Sequence, residues 1–340
     1  MEKVVLGMSG GVDSALAALE LKNAGYEVSG LYIDFHGFSE EGYRKASALA
    51  GRLGIGLERA DARELMEKQV IQPFAQSYLK GMTPNPCVIC NPLVKFKTLE
   101  EYAGRTGAGL IATGHYAVAE NGRLYASPSQ KDQSYMLYRL SRRTLSRCLF
   151  PLGEKPKEQV VEKALSLGLI EKSYKESMDI CFMPGGTDME GFLRSLGFEQ
   201  PGGRFISPEG NVLGTHGGIG GYTVGQRRGL NVSSPLGRLY VTKIDPETGD
   251  ITLSHKRPMA VRVYLEDIIF HEEIEDQSRL FVKLRHGKGL FEALWRREGL
   301  LELVTPAPFA SPGQSAVCYN ENGLVLMGGF IKSADFTEVL

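Results

Sequence analysis

A short apolar run that passes straight into a serine- and glycine-rich loop and then into a helix leaves few folds open. Val4, Val5 and Leu6 are followed by Gly7, Met8, Ser9, Gly10, Gly11, Val12, Asp13 and Ser14. Behind that loop Leu16, Leu19 and Leu21 carry a helix that closes at Gly25. Three apolar residues ending at glycine read as a buried strand. Strand, loop and helix in that order belong to a parallel sheet covered on both faces. The pattern recurs in a strand over Val28–Ile33, a helix over Ser39–Leu53 with Gly54 at its end, and a strand over Leu110–Thr113 ended by Gly114. Ligands of such sheets bind at the carboxyl ends of the strands. Gly7–Ser14 and Gly114-His115 both follow such ends and mark the candidate site.

The loop's residue types specify an anion. A strand, then Ser-Gly-Gly-x-Asp-Ser, then a helix gathers backbone N–H groups and the positive end of a helix dipole at one spot. Glycines let the backbone approach a ligand and adopt positive φ. Ser9 and Ser14 add hydroxyls. Asp13 faces two readings: a carboxylate that holds Mg2+ against phosphate, or a helix cap. The chain has no Gly-x-x-x-x-Gly-Lys-Ser/Thr, so it is not the loop that cleaves a γ-phosphate.

Beyond the sheet region, Pro156–Leu167 reads as a helix. From about Pro184 glycine becomes dense and helical periodicity fades. From Val261 on, short β-type runs recur (Val261–Tyr264, Leu280–Leu284, Leu300–Val304, Ala316–Tyr319, Gly323–Met327), the pattern of a small barrel. The expected domains are 1–183, a glycine-rich connector over 184–257, and a C-terminal β-barrel over 258–340. A hydrophobic share of 42% with 23% charged residues and no apolar run of ~18 residues points to a soluble chain in the cytoplasm. The net charge of −1 announces no nucleic acid, although six Lys/Arg between Arg279 and Arg297 face only Glu292. A solvated strand face explains such alternation more often than a phosphate-binding surface does. Among five cysteines, Cys148 and Cys318 read as buried and free, and Trp295 as barrel core.

Cys87 and Cys90 form a C-x-x-C inside Thr83–Phe96, a stretch stiffened by prolines and followed by Lys95. In a reducing compartment this spacing points to redox, metal or sulfur chemistry. Cys181 sits in a comparable context, Ser177-Met178-Asp179-Ile180-Cys181-Phe182. Lys95 is placed to lower a thiol pKa.

The loop resembles that of the N-type ATP pyrophosphatases, whose fold is an α/β, parallel-sheet domain of the adenine nucleotide alpha hydrolase type. The whole chain resembles the bacterial tRNA-specific 2-thiouridylases. The resemblance runs through the loop, Thr83–Asn91, Ala112–Ala117, Lys131–Tyr138, Asp179–Phe182, Tyr222–Leu230, Tyr240–Asp245 and Ser311–Val317. It implies that Gly7–Ser14, Ile33 and Gly114 bind ATP, that Cys90 is the nucleophile, and that Cys181 carries a persulfide. It further implies that Asn85, Pro86 and Cys87 face the target base, and that Lys131, Asp132, Gln133, Arg285 and His286 contact tRNA. The implied partners are tRNA and a persulfide donor, a cysteine desulfurase or a sulfur-relay protein, with no membrane. Cys87 stands where some members have Asp, which leaves the general base unnamed. It also makes Cys87, Cys90 and Cys181 candidate ligands of a 4Fe–4S cluster. The segment Asp34–Tyr43 is shorter than the family's usual one.

Overall fold

The structure is a computed structural model. It describes the chain apart from residues 38–39, 171–179, 184, 236, 288, 309 and 340, and apart from the side chains of 338 and 339. Ser39, Ser177, Met178, Asp179, Pro184 and Lys288, which the sequence reading uses, lie outside the described residues. The chain forms two compact units. The first holds 1–71, 86–178 and 322–325; the second holds 72–85, 179–321 and 326–340.

The first unit is built on β1 (Lys3–Gly7), α1 (Val12–Asn23), β2 (Glu27–Asp34), α2 (Glu40–Leu53), β3 (Gly56–Asp61) and β4 (Leu110–Ala112). The sheet order is β3-β2-β1-β4, then a short strand Cys148–Leu149, and all pairs are parallel. Val4, Val5 and Leu6 are at most 1% exposed, as a central strand covered on both faces requires. α1 packs closely because its buried side is largely alanine, Ala15, Ala17 and Ala18, with Leu16 and Leu21. Each fully buried leucine there stabilises the unit by about 1.5–3 kcal/mol. From β1 the chain moves outward through β2 and β3, then returns to the other side of β1 with β4. This reversal is the topological switch point, where α/β sheets bind ligands.

The second unit contains a four-stranded sheet and a closed barrel. The sheet consists of Gly203–Ile206, Val212–His216, Tyr240–Ile244 and Ile251–Ser254, around Phe205, Val241, Ile251 and Leu253. The barrel's six strands are Arg257–Phe270, Arg279–Lys283, Phe291–Arg296, Leu300–Ala307, Ser315–Tyr319 and Val325–Val339. Register shifts at Ala260/Arg262, Tyr264/Leu265 and Glu266/Ile269 bend its first strand around the core. Trp295 and Cys318 lie inside it, and Cys148 is buried in the first unit, as expected. One expectation fails after Pro184. A helix forms over Met189–Ser195 because the Asp188 side chain caps it, accepting from the Gly191 amide at 2.8 Å.

Candidate active site

The pairing of Leu6 with Ala112 brings the end of β1 beside the end of β4, so the loop and Thr113–Tyr116 leave the sheet from adjacent points. Gly10 has φ +81°, and a Cβ there would stand 3.0 Å from the Gly42 carbonyl oxygen and the Ala46 amide nitrogen. Only glycine fits both conditions. The Gly11 amide donates to Ser9 Oγ at 3.3 Å, and Ser14 Oγ donates to the Gly11 carbonyl at 2.9 Å. Both hydroxyls therefore shape the loop. Gly11 begins α1 without any side-chain cap, the state in which a helix start receives an anion. Ile33 is buried near the end of β2.

Asp13 is not a helix cap. It lies inside the first turn of α1, and its carboxylate is held from two distant segments. Lys157 Nζ donates to Oδ1 at 2.7 Å and to Oδ2 at 2.8 Å, and the Tyr116 hydroxyl donates to Oδ1 at 2.8 Å. The Lys157 ammonium also lies 5.5 Å from the centre of the Tyr116 ring. Gly114 presses on the same residue, since a Cβ on it would stand 2.8 Å from the Asp13 carbonyl carbon. Among the described residues no group of three His, Cys, Asp or Glu is arranged to hold a metal ion. The Asp13 carboxylate is thus bonded to an ammonium and to a phenol hydroxyl.

Sequence reasoning missed Lys157 and Tyr116. One signal was legible: Lys157 occupies the first turn of the helix Lys157–Ser166, where the dipole disfavours a cation.

The cysteine pair sits on the helix Pro86–Cys90, which opens on its proline and continues through a wide turn over Asn91–Phe96. Cys87 is exposed, whereas Cys90 is 7% exposed with Sγ 3.8 Å from Met66 Sδ. Desolvation by surrounding protein raises the Cys87 thiol pKa, and Lys95 opposes it. The lowering expected from Lys95 is thus outweighed at this thiol. Lys95 Nζ stands 3.4 Å from His115 Nε2, and Thr113 Oγ1 stands 2.7 Å from His115 Nδ1. The ring stacks on Phe96 and meets Phe150 edge-on. Burial, reinforced by Lys95, drives the imidazole pKa well below its ordinary 6.5. A neutral ring fits the geometry, with Nε2 accepting from Lys95 and Nδ1–H donating to Thr113.

The other expected positions fall as follows. Asp132 accepts from the amides of Ser127 and Ser134 and from the Ser134 hydroxyl, so its oxygens build a turn. Gln133 clasps Tyr116, its side chain accepting from the Tyr116 amide at 2.9 Å and its own amide donating to the Tyr116 carbonyl at 2.7 Å. Lys131 precedes both in that turn. In the second unit, exposed Cys181 precedes Phe182, which packs against Phe74 and Phe192. Arg285 and His286 follow the barrel strand Arg279–Lys283. Two cations of the basic run are paired, Arg279 with Glu292 and Arg296 with Glu302.

Two family profiles match the chain. The one described as the tRNA methyl transferase HUP domain covers residues 2–185, and the tRNA methyl transferase PRC-barrel domain covers 190–255. A tRNA-specific 2-thiouridylase of Bacteroides fragilis is 38% identical over 98% of this chain and 94% of its own length. Its counterpart in Caldanaerobacter subterraneus is 37% identical over 97% of this chain and 98% of the relative. That of Dehalococcoides mccartyi is 38% identical over 97% of each. A solved tRNA thiolase of Methanococcus maripaludis, holding a 4Fe–4S cluster, is 18% identical, covers 57% of this chain and 64% of that one, and has a TM-score of 0.38. Identity above a third, carried through nearly the full length of both chains and across loop, cysteine helix and barrel alike, makes this chain a member of the tRNA-specific 2-thiouridylase family.

Proposed function

We propose that the protein is an ATP-dependent tRNA uridine 2-sulfurtransferase acting on the wobble position. The observation that carries the reading is the loop itself, an uncapped helix start at the switch point of a parallel sheet, in a chain with full-length thiouridylase relatives. Gly7–Ser14 receive the phosphates of ATP, with Ile33 and Gly114 beside the nucleotide. The uridine O2 attacks the α-phosphorus, pyrophosphate leaves, and the adenylated uridine carries AMP as a leaving group. The terminal sulfur of a Cys181 persulfide then attacks C2 and expels AMP. Cys90 thiolate attacks Cys181 Sγ, forming a Cys90–Cys181 disulfide and releasing 2-thiouridine. A thiol reductant returns the disulfide to two thiols before the next turnover.

In this reading Asn85, Pro86 and Cys87 face the base, and Lys131, Asp132, Gln133, Arg285 and His286 engage the tRNA, where phosphate contacts position and a splayed-out base is read. The donor is a cysteine desulfurase or sulfur-relay protein, and the setting is the cytoplasm. No described helix is long and apolar enough to cross a membrane. The division 1–183, 184–257 and 258–340 assigns chemistry to the first part and tRNA support to the others. No step runs through an iron–sulfur cluster.

Persulfide, ATP and unmodified tRNA supplied separately to Cys90→Ser and Cys181→Ser test the scheme by nucleoside mass spectrometry. Neither variant is expected to form 2-thiouridine, while both still bind ATP. Full product from either one overturns the two-cysteine route, and none from the wild type overturns the function.

A further inference from the structure

An acidic side chain in the first turn of a phosphate-binding helix presents a problem of charge. A bare carboxylate repels the incoming phosphates, and the repulsion is strong where protein rather than water lies between the charges. A metal ion or an ammonium can relieve it, and here the ammonium is in place. Lys157 is 8% exposed and meets both Asp13 oxygens within 2.8 Å. A lysine that deep is retained at a cost in desolvation unless it is paired. It also stands at the positive end of its own helix, so helix stability does not account for it. The pair spans 144 residues of sequence, and Tyr116 closes the arrangement from a third segment, 103 residues from Asp13.

We propose that Lys157 is a positioning residue of the ATP site. With Tyr116 it fixes the Asp13 carboxylate, hence the first turn of α1 and the loop amides, and it supplies the positive charge that allows phosphates to enter beside that carboxylate. The clamp explains three further features. Gly114 lacks a Cβ because Asp13's backbone lies against it. Gln133 clasps the main chain of Tyr116 on both sides, which holds the hydroxyl on target. The helix Lys157–Ser166 packs against α1, so the ammonium is delivered by a rigid element. The inference rests on the ATP-dependent reading above and names a residue that the reading does not use.

The test uses the full chain, with ATP affinity measured directly and 2-thiouridine formation on unmodified tRNA measured alongside. Lys157→Met is expected to weaken ATP binding about 100-fold, because it strands a carboxylate beside the phosphates. Lys157→Arg recovers affinity to within about tenfold of wild type, since a cation returns with altered reach. Asp13→Asn combined with Lys157→Met binds ATP better than Lys157→Met alone, because no uncompensated charge remains. The Mg2+ concentration giving half-maximal binding rises in Lys157→Met, as metal takes over the missing charge. A merely structural lysine lowers the melting temperature and moves neither ATP affinity nor the Mg2+ requirement of the folded protein.

Affinity within about twofold of wild type in folded Lys157→Met overturns the proposal, as does a double variant no better than the single one. Where Lys157→Met fails to fold, Tyr116→Phe decides. It removes one hydrogen bond and keeps the ammonium, and it is expected to weaken ATP binding about 3- to 10-fold; unchanged affinity overturns the clamp. Wild type that binds ATP but makes no 2-thiouridine overturns the thiolase reading and leaves the clamp standing. Wild type that binds no ATP overturns both.

Discussion

Two lysines in the first unit meet two different kinds of partner. Lys157 meets a carboxylate, at 2.7 and 2.8 Å, in a fully compensated pair. Lys95 meets a neutral imidazole at 3.4 Å, with an aromatic wall behind it and the Cys87 thiol within its field. The first arrangement is rigid and charge-balanced before any ligand arrives. The second keeps its positive charge uncancelled by His115 and leaves a thiol protonated. Phosphate chemistry gains from fixed donors aimed at a known charge. Sulfur chemistry gains from a thiol that ionises when the reaction calls for it. The two ends of one site thus solve opposite problems, and the comparison can be broken at either end.

With every charge left in place, the largest effect is expected from disturbing the rigid end. Gly114→Ala places a methyl group 2.8 Å from the Asp13 carbonyl carbon and 3.0 Å from its oxygen. Backbone must shift, at a cost of about 1–3 kcal/mol. The first turn of α1 moves with it, so the KM for ATP is expected to rise about tenfold, with a smaller change in kcat at saturating ATP. A variant with wild-type stability and KM breaks the claim that this end is preset.

How much of this was legible in the sequence follows from distance along the chain. Local chemistry was readable: the loop, its flanking strand and helix, the buried Cys148 and Cys318, and most barrel strands all came from neighbouring residues. What was not readable was assembled by the fold. Nothing within ten residues of Asp13 announces Lys157, so the sequence offers a Mg2+ ligand or a helix cap there and leaves unseen the ammonium that the fold brings to it. Asp132 and Gln133 illustrate the converse. The resemblance assigns them to tRNA, and only the fold shows that their oxygens also bond into a turn and to Tyr116. In the Arg279–Arg297 run, Arg296 finds its acid, Glu302, only on a neighbouring strand. Burial has no local signature for Lys95 and His115 either. Their pairing requires β4 and the wide turn at Asn91–Phe96 to meet.

The middle effect concerns the neutral ring. His115 has a folded-state pKa well below 6.5, and the unfolded chain's value is near 6.5. Below about pH 6.5 the unfolded state therefore binds more protons than the folded one, and stability falls as pH falls, by at most about 1.4 kcal/mol per pH unit from this residue. Above that pH the contribution is flat. Urea unfolding between pH 5 and 8 is expected to show this slope, and His115→Asn to reduce it. A slope unchanged in the variant means that the ring is charged in the folded state, and the contrast between the two lysines collapses.

The smallest effect tests the thiol directly. Desolvation raises the Cys87 pKa above the ordinary 9.0, and Lys95 is the chief influence pulling it back. Alkylation consumes the thiolate, so its rate at Cys87 should grow about tenfold per pH unit through neutrality and level off only above pH 9.0. Peptide mass spectrometry separates Cys87 from buried Cys90 in the same experiment. Lys95→Met removes the opposing charge, which should move the levelling-off point higher and slow alkylation at pH 7.5 about two- to threefold. The direction carries the argument. If Cys87 instead levels off below pH 9.0 and Lys95→Met slows it about tenfold or more, the ammonium outweighs desolvation. Lys95 would then preset a thiolate much as Lys157 presets the loop, and both ends of the site would follow one rule.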